Sequence, residues 1–325
     1  TLMRSSAASD VYKRQVFLLM IIQGDHLIMY ALLYLVVIVL VNTIYMLYCR
    51  NNFQECRYSL KKDKALFKDL IGFSGWTLLG QASVVVKNQG EAIFVNKFFT
   101  VATNAAMGVA AQVANALEMF VSNFQTAFNP QLIQSHASKD YIAHRDLLFR
   151  ASKFSYFLLL IMLVPIVSNI DFILNLWLAE VPEYTNYFIV FILISYLFNA
   201  LSTPFVTSIF ATGNIKGYQI ALTVIFVCGL ITTFSVLQMG AKPYSVSIVS
   251  VFIQFALLLC RLYYAHNHVG VSFRRFISDV GVPISLVTIL SIIPPCFLYS
   301  WQDNVLKVIF AIGMEICYIG LLIFF

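Results

Sequence analysis

The chain reads as long apolar runs broken by short polar connections. Runs long enough to cross a bilayer lie at 27–49, 69–97, 104–131, 151–170, 185–211, 217–238, 244–265, 280–300 and 305–325. Each is close to the ~20 residues that a helix rising 1.5 Å per residue needs to cross the hydrocarbon. Strands of a membrane barrel would instead alternate apolar and polar positions over ~10 residues. The pattern therefore predicts an all-α integral membrane protein, a polytopic helical bundle of nine full spans. Val16–Ile22 reads as the stump of one further span.

The polar connections alternate in charge. One set carries Arg50, Arg57, Lys61, Lys62, Lys64, Lys68, Lys139, Arg145, Arg150, Lys153, Lys216, Arg261, Arg274 and Arg275, 14 basic residues in all. The other carries Lys97, Lys242 and Lys307, together with Asp25, Asp171, Glu180, Glu183 and Asp303. Cytoplasmic loops hold the excess of lysine and arginine, so the first set is expected to face the cytoplasm, and every span then alternates in direction without conflict.

The longest polar connection, "CRNNFQECRYSLKKDKALFKDL", suggests a hinge between two bundles. It divides the chain into a remnant of an N-terminal lobe at 16–49, a cytoplasmic basic linker at 50–68, a C-terminal six-helix lobe at 69–265 and two additional helices at 266–325. Leu60, Leu66, Phe67 and Leu70, set among lysines, read as a short amphipathic helix on the cytoplasmic surface. If a six-helix unit also precedes the linker, the two units are parallel repeats about the membrane normal.

Composition agrees with this segmentation and adds exclusions. Charged residues make up 11% and mean hydropathy is +0.82, against ~25% charged residues in a soluble domain. The net charge of +6 is spread over separate loops. It sets topology and meets anionic lipid, and it does not form the continuous basic surface that nucleic acid requires. The six cysteines include no CxxC pair and no metal-ligand spacing with histidine, so no metal or other cofactor is expected. The five histidines all fall outside the expected spans. No constellation of an intramembrane polymerase or acyltransferase is visible, and the reading is not an enzyme.

The polar start "TLMRSSAASDVYKRQ" followed by "VFLLMII" has the outline of a signal peptide, but the apolar run is short and no small-x-small site follows it. Asp10 to Gln15 back-translates without strain to GATGTGTATAAGAGACAG, which resembles the transposon end of a sequencing adapter. Residues 1–15 are accordingly expected to be a non-native scar ahead of an N-terminally truncated gene. Arg4, Lys13 and Arg14 would otherwise abut the outer end of a span and break the charge rule.

Ionisable groups at the centre of a membrane helix cost ~2.5–3.5 kcal/mol or more, so each needs a partner or a wet cavity. Four lie within spans: Lys87, Glu91, Glu118 and Glu315. Lys87 and Glu91 are four apart and share a helix face, with Ser83 one turn below. They can neutralise each other or line a cavity. Glu118 lies near the centre of its span in the stripe Gln112, Asn115, Glu118, Ser122, Gln125 and Asn129, whose steps of three and four keep one face. Such a stripe lines a cavity or bonds neighbouring helices. Asn199, Ser202, Thr203 and Thr207 are secondary candidates for the same lining, and Glu315 reads as a protonated or neighbour-bonded carboxyl.

Four local patterns, "FKDLIGFSGWTLLGQASVVV", "FNPQLIQSHASKD", "ILNLWLAEVPEYT" and "IFATGNIKGYQ", together resemble the polysaccharide and O-antigen flippases of the multidrug/oligosaccharidyl-lipid/polysaccharide exporter superfamily. Each has its own physical content. Pro130 would kink or end its span, Gly213 and Asn214 suit a tight turn, and Trp177 suits the headgroup level.

The resemblance covers residues 27–325 and implies a member with six helices, a linker, six helices and two more. It implies a flippase of the bacterial inner membrane that carries a polyprenyl-diphosphate-linked oligosaccharide outward by alternating access, its lipid tail remaining in the bilayer. In that family the first two helices of each unit line the cavity. This places Lys87, Glu91, Gln112, Asn115, Glu118, Ser122 and Gln125 as substrate-cavity candidates. A proton or sodium gradient would act on Glu118 or Glu91. The alternative within the superfamily is a multidrug-type cation antiporter, for which the two spans beyond residue 265 are surplus.

Overall fold

The computed structural model describes residues 26–53, 56, 63–298 and 305–324; the scar, the stump Val16–Ile22, and Arg57, Leu60, Lys61 and Lys62 of the linker lie outside them. The chain divides into two units, residues 1–67 and 68–325. Among the described residues there is no strand, and nine helical stretches are long and apolar enough to cross a membrane. The protein is an all-α, multi-pass membrane protein.

In the first unit, α1 (His26–Asn52) is an uninterrupted apolar helix. Polar side chains along it bond back to its own backbone: Asn42 Nδ2 donates to Ile38 O at 2.9 Å, Thr43 Oγ1 to Val39 O at 2.7 Å and Asn52 Nδ2 to Tyr48 O at 2.9 Å. Bonding back by one turn is how such side chains are carried through hydrocarbon.

Then come α2 (Lys64–Phe98), α3 (Val101–Ala137), α4 (Tyr141–Ser168), the short α5 (Ile170–Trp177), α6 (Thr185–Ala211), α7 (Lys216–Gln238) and α8 (Ser245–Val269). An interrupted span follows: α9 (Phe273–Phe276), a π-helical turn (Ile277–Gly281), α10 (Val282–Ser291) and α11 (Ile293–Leu298). The last helix is α12 (Val305–Phe324).

Three expected boundaries move. Asp63 accepts a hydrogen bond from Leu66 N at 3.1 Å and caps α2, so Leu66, Phe67 and Leu70 are the first turns of that helix and do not form a separate surface helix. Pro130 does not end α3, which runs on to Ala137 and closes at Ser138. Its missing N–H is tolerated because a helix can re-satisfy one freed carbonyl locally. The fourth span likewise starts ten residues before position 151, at Tyr141, capped by Asp140 through Ala143 N at 3.1 Å.

The core of the second unit lies where α3, α4, α6 and α8 meet. Ala106, Ala110 and Ala114 on α3 are fully buried, and their small side chains let backbones approach closely, as membrane bundles require. Phe188, Leu193, Leu197 and Phe205 of α6 fill the opposing face, and the interrupted span and α12 extend the cluster through Phe276, Val280, Ile284 and Ile319. Helix α2 packs on α7. Phe94 and Phe98 meet Phe234, and the α2 glycines Gly80 and Gly90 lie against Gln219 and Leu230, where no Cβ fits unless those side chains give way.

Contacts identify the two ends of the unit. At one end Lys216 sits over the Trp76 ring, Arg145 donates to Gly270 O, and Arg275 pairs with Asp146 at 2.8 Å. At the other, Val95, Leu237 and Val246 cluster and Tyr187 stacks on Tyr244. The basic connections of the second unit therefore gather at one end.

Candidate functional site

Helices α2, α3, α6, α7 and α8 enclose a cavity of about 390 Å³. Its charged lining is Lys87 and Glu91 from α2, Glu118 from α3 and Arg261 from α8. Two cations face two carboxylates, so the lining is formally neutral while rich in donors and acceptors.

The first network ties α2 to α8. Lys87 Nζ lies 2.8 Å from Glu91 Oε2 and donates to Ser250 Oγ at 3.0 Å, and Ser250 Oγ donates to Glu91 Oε1 at 2.8 Å. Ammonium, hydroxyl and carboxylate close a triangle in which each charge is met by a partner. The pair is thus both self-neutralising and part of the cavity wall. One turn below, Ser83 bonds Thr223 of α7 at 2.9 Å.

The second network runs across α3, α6, α7 and α8. Arg261 is 7% exposed. Its Nε donates to Tyr218 OH at 3.2 Å, and its Nη1 donates to Asn199 Oδ1 at 3.2 Å and to Ser202 Oγ at 2.5 Å. Asn199 Nδ2 in turn donates to Glu118 Oε1 at 2.8 Å. A guanidinium can only donate, which obliges Asn199 to turn its oxygen to Arg261 and its amide hydrogens to Glu118. Asn199 is therefore an oriented relay between the charges of α8 and α3.

Arg261 belongs to this interior, about 12 Å from the end of α8 at 1.5 Å per residue, and not to the basic loop with which its charge was counted. The pattern that reveals it is the series Ser247, Ser250, Gln254 and Arg261, steps of three, four and seven along one face of α8, all lining the cavity.

The α3 stripe does not act as one lining. Asn115 and Glu118 face the large cavity, and Asn115 Oδ1 accepts from Tyr196 OH at 2.9 Å. Glu118, Ser122 and Gln125 face a second, smaller cavity. Asn129 bonds Thr207 at 3.1 Å. Gln112 is exposed and lines neither cavity; at 3.6 residues per turn it points about 100° away from the mean direction of the other five.

Gln125 has a structural duty as well. Pro204 inside α6 has no N–H to give to the carbonyl of Ala200 four residues earlier. Gln125 Nε2 supplies that bond at 3.0 Å, satisfying a freed backbone acceptor within the bundle. Gln125→Leu should lower stability by about 1–2 kcal/mol. In a Pro204→Ala background, where residue 204 regains its N–H, the same change should cost measurably less. Thermal unfolding in detergent across the four proteins gives this coupling, and strict additivity would mean that Gln125 serves another partner.

Two further groups are placed. Glu315 on α12 is 1% exposed and hydrogen-bonded to Ser168 of α4, away from both cavities. His144 does not lie outside the spans as expected, because α4 begins at Tyr141; it is fully buried and joins three helices. Its Nδ1 bonds Leu132 O at 3.0 Å and its Nε2 meets Ser208 Oγ at 2.7 Å. A carbonyl only accepts, so Nδ1 carries a proton.

Among the described residues no group of three or more histidine, cysteine, aspartate or glutamate side chains could hold a metal ion. Fold and cavity define a multi-pass membrane protein with a charge-balanced polar interior. No family model matches the chain, and neither the curated proteins nor the solved structures include a match.

Proposed function

We propose that this protein is a transporter and not an enzyme: a flippase of the bacterial inner membrane that moves a polyprenyl-diphosphate-linked oligosaccharide outward by alternating access. The observation that carries this reading is the 390 Å³ cavity with Lys87, Glu91, Glu118 and Arg261 in its wall. Four charged groups inside a bundle are costly and mark a solute path. Alternating donors and acceptors suit a hydroxyl-rich headgroup, and the lipid chain stays in the surrounding hydrocarbon. The positive charge of Lys87 and Arg261 weighs against a multidrug cation antiporter, whose cavity would present carboxylates without such cations. The basic end of the second unit is assigned to the cytoplasm.

Energy coupling is assigned to Glu118, which is linked to Arg261 only through Asn199 and forms no salt bridge among the described residues. Reconstituted into vesicles with a fluorescent polyprenyl-diphosphate oligosaccharide, the protein should move the glycan out of reach of an impermeant glycosidase. The rate should depend on an imposed ion gradient, and Glu118→Gln should remove that dependence. A variant that kept the wild-type response to pH, sodium and membrane potential would exclude Glu118 from coupling. Absence of any glycan movement by the wild type would overturn the flippase reading.

A further inference from the structure

Away from both polar cavities, α3, α4 and α12 leave an apolar groove of about 400 Å³. Phe124 and Phe128 of α3 form one wall, their rings 4.8 Å apart, and Phe154, Phe157 and Ile161 of α4 form the other, with Ile323 of α12 beside them. No polar side chain lines it. Phe154 is 43% exposed, so the groove opens on the side of the bundle, where lipid lies.

The lipid-facing surface of a membrane protein is apolar throughout, and that alone names no ligand. Two observations set this groove apart. The first is its shape: a methylene chain laid between phenylalanine walls makes dispersion contacts on several sides, where a flat helix face offers one. The second is Arg150, four residues before Phe154 and therefore on the same face of α4. At 1.5 Å per residue, Phe154 lies about 6 Å and Ile161 about 17 Å deeper than Arg150. The guanidinium thus stands at the rim of the apolar run, with the groove below it.

Arg150 is exposed and has no ion pair or hydrogen bond from its side chain among the described residues. Its basic neighbours are committed elsewhere. Arg145 donates to Tyr141 O and Gly270 O, Arg275 pairs with Asp146 and Asp279, and Lys153 acts on the charge of Asp279. A cation at the rim and a chain-shaped groove beneath it match one phospholipid molecule, phosphate above and acyl chain below. A guanidinium suits phosphate oxygens bidentately. Because Arg150 has no acidic partner, it favours a headgroup of net negative charge over a zwitterionic one, which brings its own cation to the phosphate.

We propose that the groove between α3, α4 and α12 binds an anionic phospholipid of the cytoplasmic leaflet, its acyl chain against Phe124, Phe128 and Phe154 and its phosphate on Arg150. Binding does not rest on the transporter reading, and glycan movement does not enter its test. Delipidated protein in detergent is titrated with phosphatidylglycerol and with phosphatidylcholine of the same acyl chains. Bound lipid is counted by native mass spectrometry, and thermal unfolding is followed in parallel. Phosphatidylglycerol should bind more tightly and raise the melting temperature more. Arg150→Gln, an exposed change that leaves the packing untouched, should cut the preference for phosphatidylglycerol roughly fivefold. Arg274→Gln, an equal loss of charge on another element, should leave that preference unchanged. Leu158→Trp, which fills the groove, should weaken both lipids at least tenfold.

The site is overturned if the two lipids bind alike, if Arg150→Gln and Arg274→Gln lower binding equally, as a diffuse surface charge would require, or if Leu158→Trp keeps wild-type affinity. A polyprenyl phosphate that displaces phosphatidylglycerol at equal concentration would also overturn it, by giving the groove to the carried lipid. A dimer that Leu158→Trp dissociates would do so by giving it to a second copy of the chain.

Discussion

Glu91→Leu alone is expected to lower the stability of the protein by about 3–5 kcal/mol, and Lys87→Met/Glu91→Leu together to restore most of that loss. The reason is the closure of the Lys87–Glu91–Ser250 triangle. With Glu91 gone, the ammonium keeps only a neutral hydroxyl in a wall about one tenth exposed, and Ser250 loses the acceptor of its proton. Removing both charges removes the desolvation cost of each, and two apolar side chains of similar length then pack α2 against α8. A double-mutant cycle read by thermal unfolding in detergent isolates the pair term. Coupling below about 1 kcal/mol would place the pair with exposed ion pairs, whose contribution is of that size, and would remove it from the architecture of the cavity.

The cost of burying charge also explains what could be read from the chain before its fold was known. Spans are legible because hydrocarbon imposes a length and an apolar composition on each one, and the nine expected segments correspond to nine helices among the described residues. Lys87, Glu91 and Glu118 stand out because nothing else ionisable is near the middle of their helices. Arg261 does not, because it lies only two turns from a basic loop and its charge fits the cytoplasmic excess. Only its place on the Ser247–Ser250–Gln254 face separates it from that loop. Gln125 shows a different limit: its partner is a carbonyl freed by Pro204, 79 positions away in sequence, and no local pattern links them. His144 was hidden because hydropathy places a helix start where apolar residues begin, whereas Asp140 sets the actual start by capping.

Arg261→Leu carries the second large effect, a loss of about 2–4 kcal/mol, because the buried Tyr218 OH and the half-buried Asn199 Oδ1 both lose the guanidinium that donates to them, and Asn199 Oδ1 keeps only a long contact with Thr203 Oγ1 at 3.5 Å. Ser202 is spared, since its hydroxyl already donates to Phe198 O at 2.8 Å. Arg261→Lys should recover less than half of the loss. An ammonium keeps the charge, but it lacks the planar fork that reaches Tyr218, Asn199 and Ser202 from two nitrogens. The comparison separates charge from geometry. If lysine restores full stability, the relay to Glu118 needs only a positive charge in α8. If lysine and leucine fail alike, the fork is what orients Asn199. Asn199→Leu tested in both backgrounds then reports whether Glu118 is held from α8 at all: in the Arg261→Leu protein it should cost at least 1 kcal/mol less than in wild type, roughly the worth of one charged hydrogen bond. Equal costs in the two backgrounds would mean that Asn199 serves Glu118 independently of Arg261.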